Sequence, residues 1–133
     1  MANALYPKWK EQLLQFTANN NLSAGTVKVA LVTAGYTYSS ANQFYSSVSA
    51  SVVGTPQTIG SKTFTDGVFD GGDVTFTAVT GSQVVSLVIY IDTGSAATSP
   101  LVAFLDTGVT NLPVTPNGGD ITITWNASGI FAL

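Results

Sequence analysis

The chain has 133 residues, enough for one domain with a sizeable core. Apolar residues make up 45% of it, charged residues only 8%, and the formal charge is −3. The absence of Cys, His and Arg excludes disulfides, thiolate zinc sites, His-based nucleophile pairs and bidentate arginine grips on phosphate.

Residues 7–19 predict the only substantial helix. Pro7 suits the first helical position, where its missing N–H costs nothing. Leu5, Trp9, Leu13 and Phe16 recur at spacings of four, four and three and form one apolar stripe. Lys8, Glu11, Gln12 and Gln15 fall off it, and Asn19-Asn20-Asn21 offers a helix end. The stripe has two readings: it packs on the domain's own sheet, or it docks onto a partner or a neighbouring copy. Terminal segments are often mobile unless tied down, and Trp is enriched in interface hot spots.

Thr26–Thr33 alternates Val27, Val29 and Leu31 against Lys28, Ala30 and Val32, a strand with one wetter face. A polar loop over 35–41 carries Tyr36 and Tyr38. Residues 42–48 suit a short helical turn holding Phe44 and Tyr45, and Ser-rich 46–51 reads as loop. Residues 52–59 are an edge strand at best, because of Gly54 and Pro56. Short strands are expected at 62–65, 67–69 and 73–79, with Asp66-Gly67 and Asp70-Gly71-Gly72-Asp73 as turns between them.

The apolar run 84–91 is bounded by turn residues and reads as a central strand buried on both faces. It is too short to span a bilayer, which takes about 20 residues as a helix. Leu101–Leu105 returns beside it. Residues 120–125 alternate again, and 130–133 form a short apolar end that pairs with the sheet. The sum is a mainly β chain, a β-sandwich or jelly-roll-like fold with one N-terminal helix, read as a single domain over 1–133.

Three constellations invite chemistry. Asp-Thr-Gly occurs at 92–94 and again at 106–108, each time after an apolar strand, as in an aspartic-protease half-site. That mechanism needs two carboxylates sharing a proton at about 3 Å. A hairpin of the two strands puts Asp92 and Asp106 at opposite ends, roughly 17–20 Å apart, so turn chemistry is the simpler reading. Asp66, Asp70 and Asp73 suggest calcium, but their spacing does not match the calcium-loop pattern. The loop aromatics Tyr36, Tyr38, Phe44 and Tyr45 suit a cover over the sheet's open end, a protein contact or a sugar platform. No catalytic, cofactor or metal residue is therefore assigned. The charge balance gives no case for nucleic acid. The N-terminus lacks a basic start followed by an apolar run, so synthesis in a cytoplasm is expected.

Several blocks resemble small structural proteins of tailed bacteriophages. They are Met-Ala-Asn-Ala-Leu-Tyr-Pro-Lys-Trp-Lys-Glu at 1–11, Gly-Thr-Val-Lys-Val-Ala-Leu-Val at 25–32 and Val-Gly-Thr-Pro-Gln-Thr-Ile-Gly-Ser-Lys-Thr-Phe at 53–64. Gly-Val-Phe-Asp at 67–70, Leu-Val-Ile-Tyr-Ile-Asp-Thr-Gly at 87–94 and Pro-Val-Thr-Pro-Asn-Gly-Gly-Asp-Ile at 113–121 complete them. Size and β content are most similar to capsid cement (decoration) proteins. The resemblance implies binding to the major capsid protein on the outside of the shell, self-association as dimer or trimer, and no active site. Leu5, Trp9, Leu13, Phe16, Tyr36, Tyr38, Phe44 and Tyr45 are the contact residues expected. A neck, tail or fibre-attachment protein of the same particle is the near alternative, and a carbohydrate-binding sandwich module the distant one.

Overall fold

The computed structural model describes residues 3–133. The fold is mainly β, 37% strand and 11% helix, with three sheets and one α-helix near the N-terminus. Ten strands are described: β1 Ala4–Leu5, β2 Thr26–Thr33, β3 Val52–Thr58, β4 Thr63–Thr65, β5 Val68–Asp70, β6 Val74–Phe76, β7 Val84–Asp92, β8 Leu101–Leu105, β9 Ile121–Ile123 and β10 Phe131–Ala132. The helix α1 runs Pro7–Leu14.

Five strands make the main antiparallel sheet, in the order β1-β8-β7-β2-β3. The apolar run of β7 sits at its centre, as its composition predicts. Pairing of β2 with β7 sets Val27, Val29 and Leu31 opposite Ile91, Ile89 and Leu87. Strand side chains alternate between faces, so these six share one face. Lys28, Ala30 and Val32 face Tyr90, Val88 and Ser86 on the other. Both faces are covered, which is why β7 and β8 are apolar almost throughout.

The excursion between β2 and β3 covers the second face. Its two short 3-10 turns, Tyr45–Ser47 and Ser49–Ser51, bring Tyr45 flat onto Tyr90, ring centroids 4.0 Å apart. Tyr36 and Tyr38 lean on Phe104 of β8 at 6.1 and 5.5 Å. The smaller sheets, β10-β5-β4 and β6-β9, join the same core. Phe69, Val74, Phe76, Ile121 and Ile123 form one continuous buried cluster with the residues of β2, β7 and β8. The layered arrangement is consistent with a β-sandwich.

The helix is shorter than residues 7–19. It closes at Leu14 in a Schellman motif. The Thr17 N–H donates to the Gln12 carbonyl at 3.1 Å, and the Phe16 N–H to the Leu13 carbonyl at 3.1 Å. This motif needs one left-handed residue, and Phe16 supplies it at φ 56. The turn therefore falls before the Asn triplet. The segment read as loop over 46–51 is 3-10 turn, and Leu5 belongs to β1 rather than to the helical stripe.

Candidate protein-contact surface

The helix end, the loop after it and the β4 edge enclose a hollow of about 470 Å³. Trp9, Leu13, Phe16, Leu22, Phe64 and Leu133 supply its apolar lining, and Gln12, Thr17 and Asn19 to Ser23 its polar part. No charged side chain lines it among the described residues. Phe16 is 96% exposed and Phe64 48%, and Leu133 is also open. Singly exposed apolar residues are ordinary, but several around one concave, uncharged site make it the candidate contact surface.

Each wall has a local cause. The left-handed turn at Phe16 throws that ring outward instead of back onto the helix. Behind it, Asn20 fastens the loop. Its side-chain N–H groups donate to the Ala18 carbonyl at 2.7 Å and to Thr17 Oγ1 at 2.9 Å. The Trp9 indole N–H reaches the Asn20 carbonyl at 3.4 Å. On the far side, the Lys62 ammonium donates to the Leu22 and Gly25 carbonyls at 2.7 Å each and to the Ser23 carbonyl at 3.3 Å. Three carbonyls around one cation make a firm clamp.

An aromatic row links two of its lining residues, Phe64 and Trp9, through the core. Phe64 stacks on Phe69 at 5.5 Å, Phe69 meets Phe131 at 5.3 Å, and Phe131 meets Trp9 at 5.9 Å. The row runs from the open edge at Phe64 to Trp9, which is only 2% exposed.

The eight residues expected to make contacts divide. Leu13 and Phe16 open onto the hollow. Trp9 is a core residue with one edge beneath it, so its bulk serves folding first. Leu5 is half-buried and pairs with Ala103. Tyr36, Tyr38 and Tyr45 are half-buried against Phe104, Tyr6 and Tyr90 and act as cover for the main sheet. Phe44 bridges to Pro100 and lines a smaller hollow of about 230 Å³ with Lys8, Trp9 and Gln43. Sequence reasoning missed Phe64, Leu22 and Leu133. A lone Phe between two Thr in a three-residue strand was the available signal for the first.

Two of the phenols are joined in a short hydrogen-bonded chain. Tyr6 and Tyr36 hydroxyls lie 2.8 Å apart, and Tyr36 donates onward to Asn42 Oδ1 at 2.8 Å. Burial pushes the Tyr6, Tyr36, Tyr45 and Tyr90 phenols above their usual range.

The acidic motifs resolve into turns. Asp92 pairs with Lys28 at 2.7 Å and accepts the Gly94 N–H at 2.9 Å. The hydrogen bond from Lys28, then that from Gly94, holds its carboxyl below the ordinary range. Asp106 follows Leu105, at the opposite end of the β7–β8 pair from Asp92, so the two Asp-Thr-Gly turns make no dyad within one chain. Asp70 accepts the Gly71 N–H, and Asp73 the Trp125 N–H. Among the described residues no cluster of three or more His, Cys, Asp or Glu is placed to hold a metal ion, and no helix is long and apolar enough to cross a membrane.

No protein-family model matches the chain, and a search of curated proteins finds no match.

Proposed function

We propose that the chain is a non-enzymatic structural component of a tailed-bacteriophage particle. Within that class it is a cement protein, made in the bacterial cytoplasm and bound to the outside of the capsid shell, where it stabilises contacts between major capsid subunits. The observation that carries a contact role is the uncharged apolar hollow rimmed by Phe16, Phe64 and Leu133. The phage assignment draws on the resemblance of the sequence blocks described above.

The physics of such a role is mass action. A chain that binds only the assembled shell stabilises it by its binding free energy. Many copies, each with a modest interface, then reinforce one lattice. A surface poor in charge suits this, because little ionic hydration is lost when it is covered.

Gel densitometry of purified particles against the major capsid protein, with low-resolution imaging, tests the reading. Copies in number comparable to the major capsid protein, on the shell exterior, are expected. A few copies at a single vertex would assign the chain to the neck or tail instead. Absence from the particle would overturn the structural role.

A further inference from the structure

We propose that Asn117 is a self-modifying site: its side-chain amide is slowly converted to a carboxyl group by its own backbone, at a pace set by the hold of Val79 on the turn. The inference concerns the chain itself and stands apart from any role in a particle.

The residue pair points to it first. Asparagine is among the chemically labile residues, and of the eight in this chain only Asn117 precedes a glycine. The backbone nitrogen that follows an asparagine reaches its side-chain carbonyl carbon, and a glycine there has no Cβ to hinder the approach. Asn117, Gly118 and Gly119 are all exposed, so water reaches the turn. Open space lies where a Cβ on Gly118 would stand. Among the described residues, none accepts a hydrogen bond from Asn117 Nδ2, the nitrogen that must leave. The same nitrogen is held elsewhere: Asn3 donates to the Thr107 carbonyl, Asn111 to the Thr122 carbonyl, and buried Asn20 to Ala18 and Thr17.

Two contacts of the turn then act in opposite senses. The Gly119 N–H donates to Asn117 Oδ1 at 2.9 Å. Negative charge gathers on that oxygen when the carbon is attacked, and a fixed donor there stabilises it. Against this, the attacking nitrogen is restrained. The Gly118 N–H donates to the Val79 carbonyl at 2.8 Å, and the Val79 N–H donates back to the Gly119 carbonyl at 3.0 Å. Val79 is itself buried in the core. The nucleophile is therefore anchored to a core residue, and attack waits on local opening of the turn.

The step balances with water as the sole co-reactant. The Gly118 nitrogen loses its proton and bonds to Asn117 Cγ. The Cγ–Nδ2 bond breaks, and Nδ2 takes up the proton and leaves as ammonia. One water then opens the resulting cyclic imide at either carbonyl, giving an aspartyl or an isoaspartyl residue. Either product adds a negative charge close in sequence to Asp120, whose Oδ1 accepts the Ala78 N–H at 3.1 Å. The isoaspartyl product also puts an extra carbon into the main chain, so the paired bonds to Val79 lose their geometry.

Ageing the purified chain, native and in guanidinium chloride, tests this. Mass spectrometry with fragmentation that separates aspartyl from isoaspartyl reads each asparagine. Conversion at Asn117 is expected ahead of every other asparagine, and faster at higher pH because the nitrogen must lose its proton. The native chain is expected to convert about fivefold more slowly than the unfolded one, the worth of one hydrogen bond. Hydrogen exchange at the Val79 and Gly118 amides is expected to be about fivefold faster in the aged native chain than in the fresh one. Asn117→Ser keeps an oxygen for the Gly119 N–H but has no amide to lose, and its exchange is expected to stay constant with age. An intact Asn117 in the aged native chain would overturn the proposal, as would another asparagine converting first. Equal rates in the native and unfolded chain would overturn the part given to Val79.

Discussion

Trp9 meets Phe131 edge to face, ring centroids 5.9 Å apart and planes at 84°. The contact ties the first helix to the last strand and spends the buried side of the helix on the core. What remains of the apolar stripe, Leu13 and Phe16, opens onto the hollow. A division of one stripe between core and surface is the central feature of the molecule.

Phe16 costs stability where it stands. A side chain in the left-handed region is disfavoured by about 1–2 kcal/mol, and glycine avoids that penalty. Phe16→Gly is therefore expected to raise stability by about 1 kcal/mol after the entropy of a more flexible unfolded chain is allowed for. That corresponds to a Tm increase of about 4 °C. The same variant is expected to bind shells less well. A gain in stability with a loss of binding, from melting and shell-binding assays together, would mark Phe16 as retained for contact. A loss of both would make it a packing residue.

Lys62 braces the loop that carries Leu22 and Ser23 of the hollow. Lys62→Met keeps the stem but leaves the Leu22, Ser23 and Gly25 carbonyls without their shared donor. Hydrogen bonds to charged groups are worth about 1.5–3 kcal/mol. A loss of about 2 kcal/mol in urea unfolding is expected, with faster hydrogen exchange confined to residues 21–25. Unchanged exchange there would contradict the clamp.

The strands were legible because period-two alternation and β-branched runs are local properties. Thr26–Thr33 and Leu101–Leu105 have the same bounds in sequence and structure. The central strand differs by one residue at its end. Strand β1 was not legible, since two residues ahead of Pro7 have no period of their own. The helix end was misplaced because Phe16 occupies a position where glycine or asparagine is the usual signal. The loop tyrosines were visible as aromatics but their partners were not, because Tyr90 and Phe104 are distant in sequence. The hollow was invisible for the same reason: residues 9–23, Phe64 and Leu133 come together only through tertiary pairing.

Asp92 gives a test in acid. The fold lowers its pKa, so its stabilisation is present above the unfolded value of about 3.9 and fades as pH falls through the folded value. Asp92→Asn is expected to cost about 1 kcal/mol at neutral pH, given a partly exposed pair with Lys28. Parent and variant should converge in stability once the pH has fallen below the lowered folded value of Asp92. A difference independent of pH would place the effect in packing instead of charge.

The tyrosines give the opposite test. Burial raises the Tyr6, Tyr36, Tyr45 and Tyr90 phenols, so the fold favours their neutral form. That stabilisation is present below the ordinary value of about 10 and is lost as pH climbs through the raised values. Stability is expected to fall steeply above about pH 10, with most tyrosinate absorbance appearing together with unfolding. Ionisation of these four phenols while circular dichroism stays native would contradict their burial.

The most direct measurement is binding of the purified chain to expanded shells assembled without it, by co-sedimentation and imaging. The account predicts saturation at a count comparable to the major capsid protein, density on the shell exterior, and shells that survive hotter incubation once decorated. Phe16→Gly and Phe64→Lys chains, folded as the parent, should saturate only at higher concentration. No binding to shells by the well-folded parent chain would contradict the cement role.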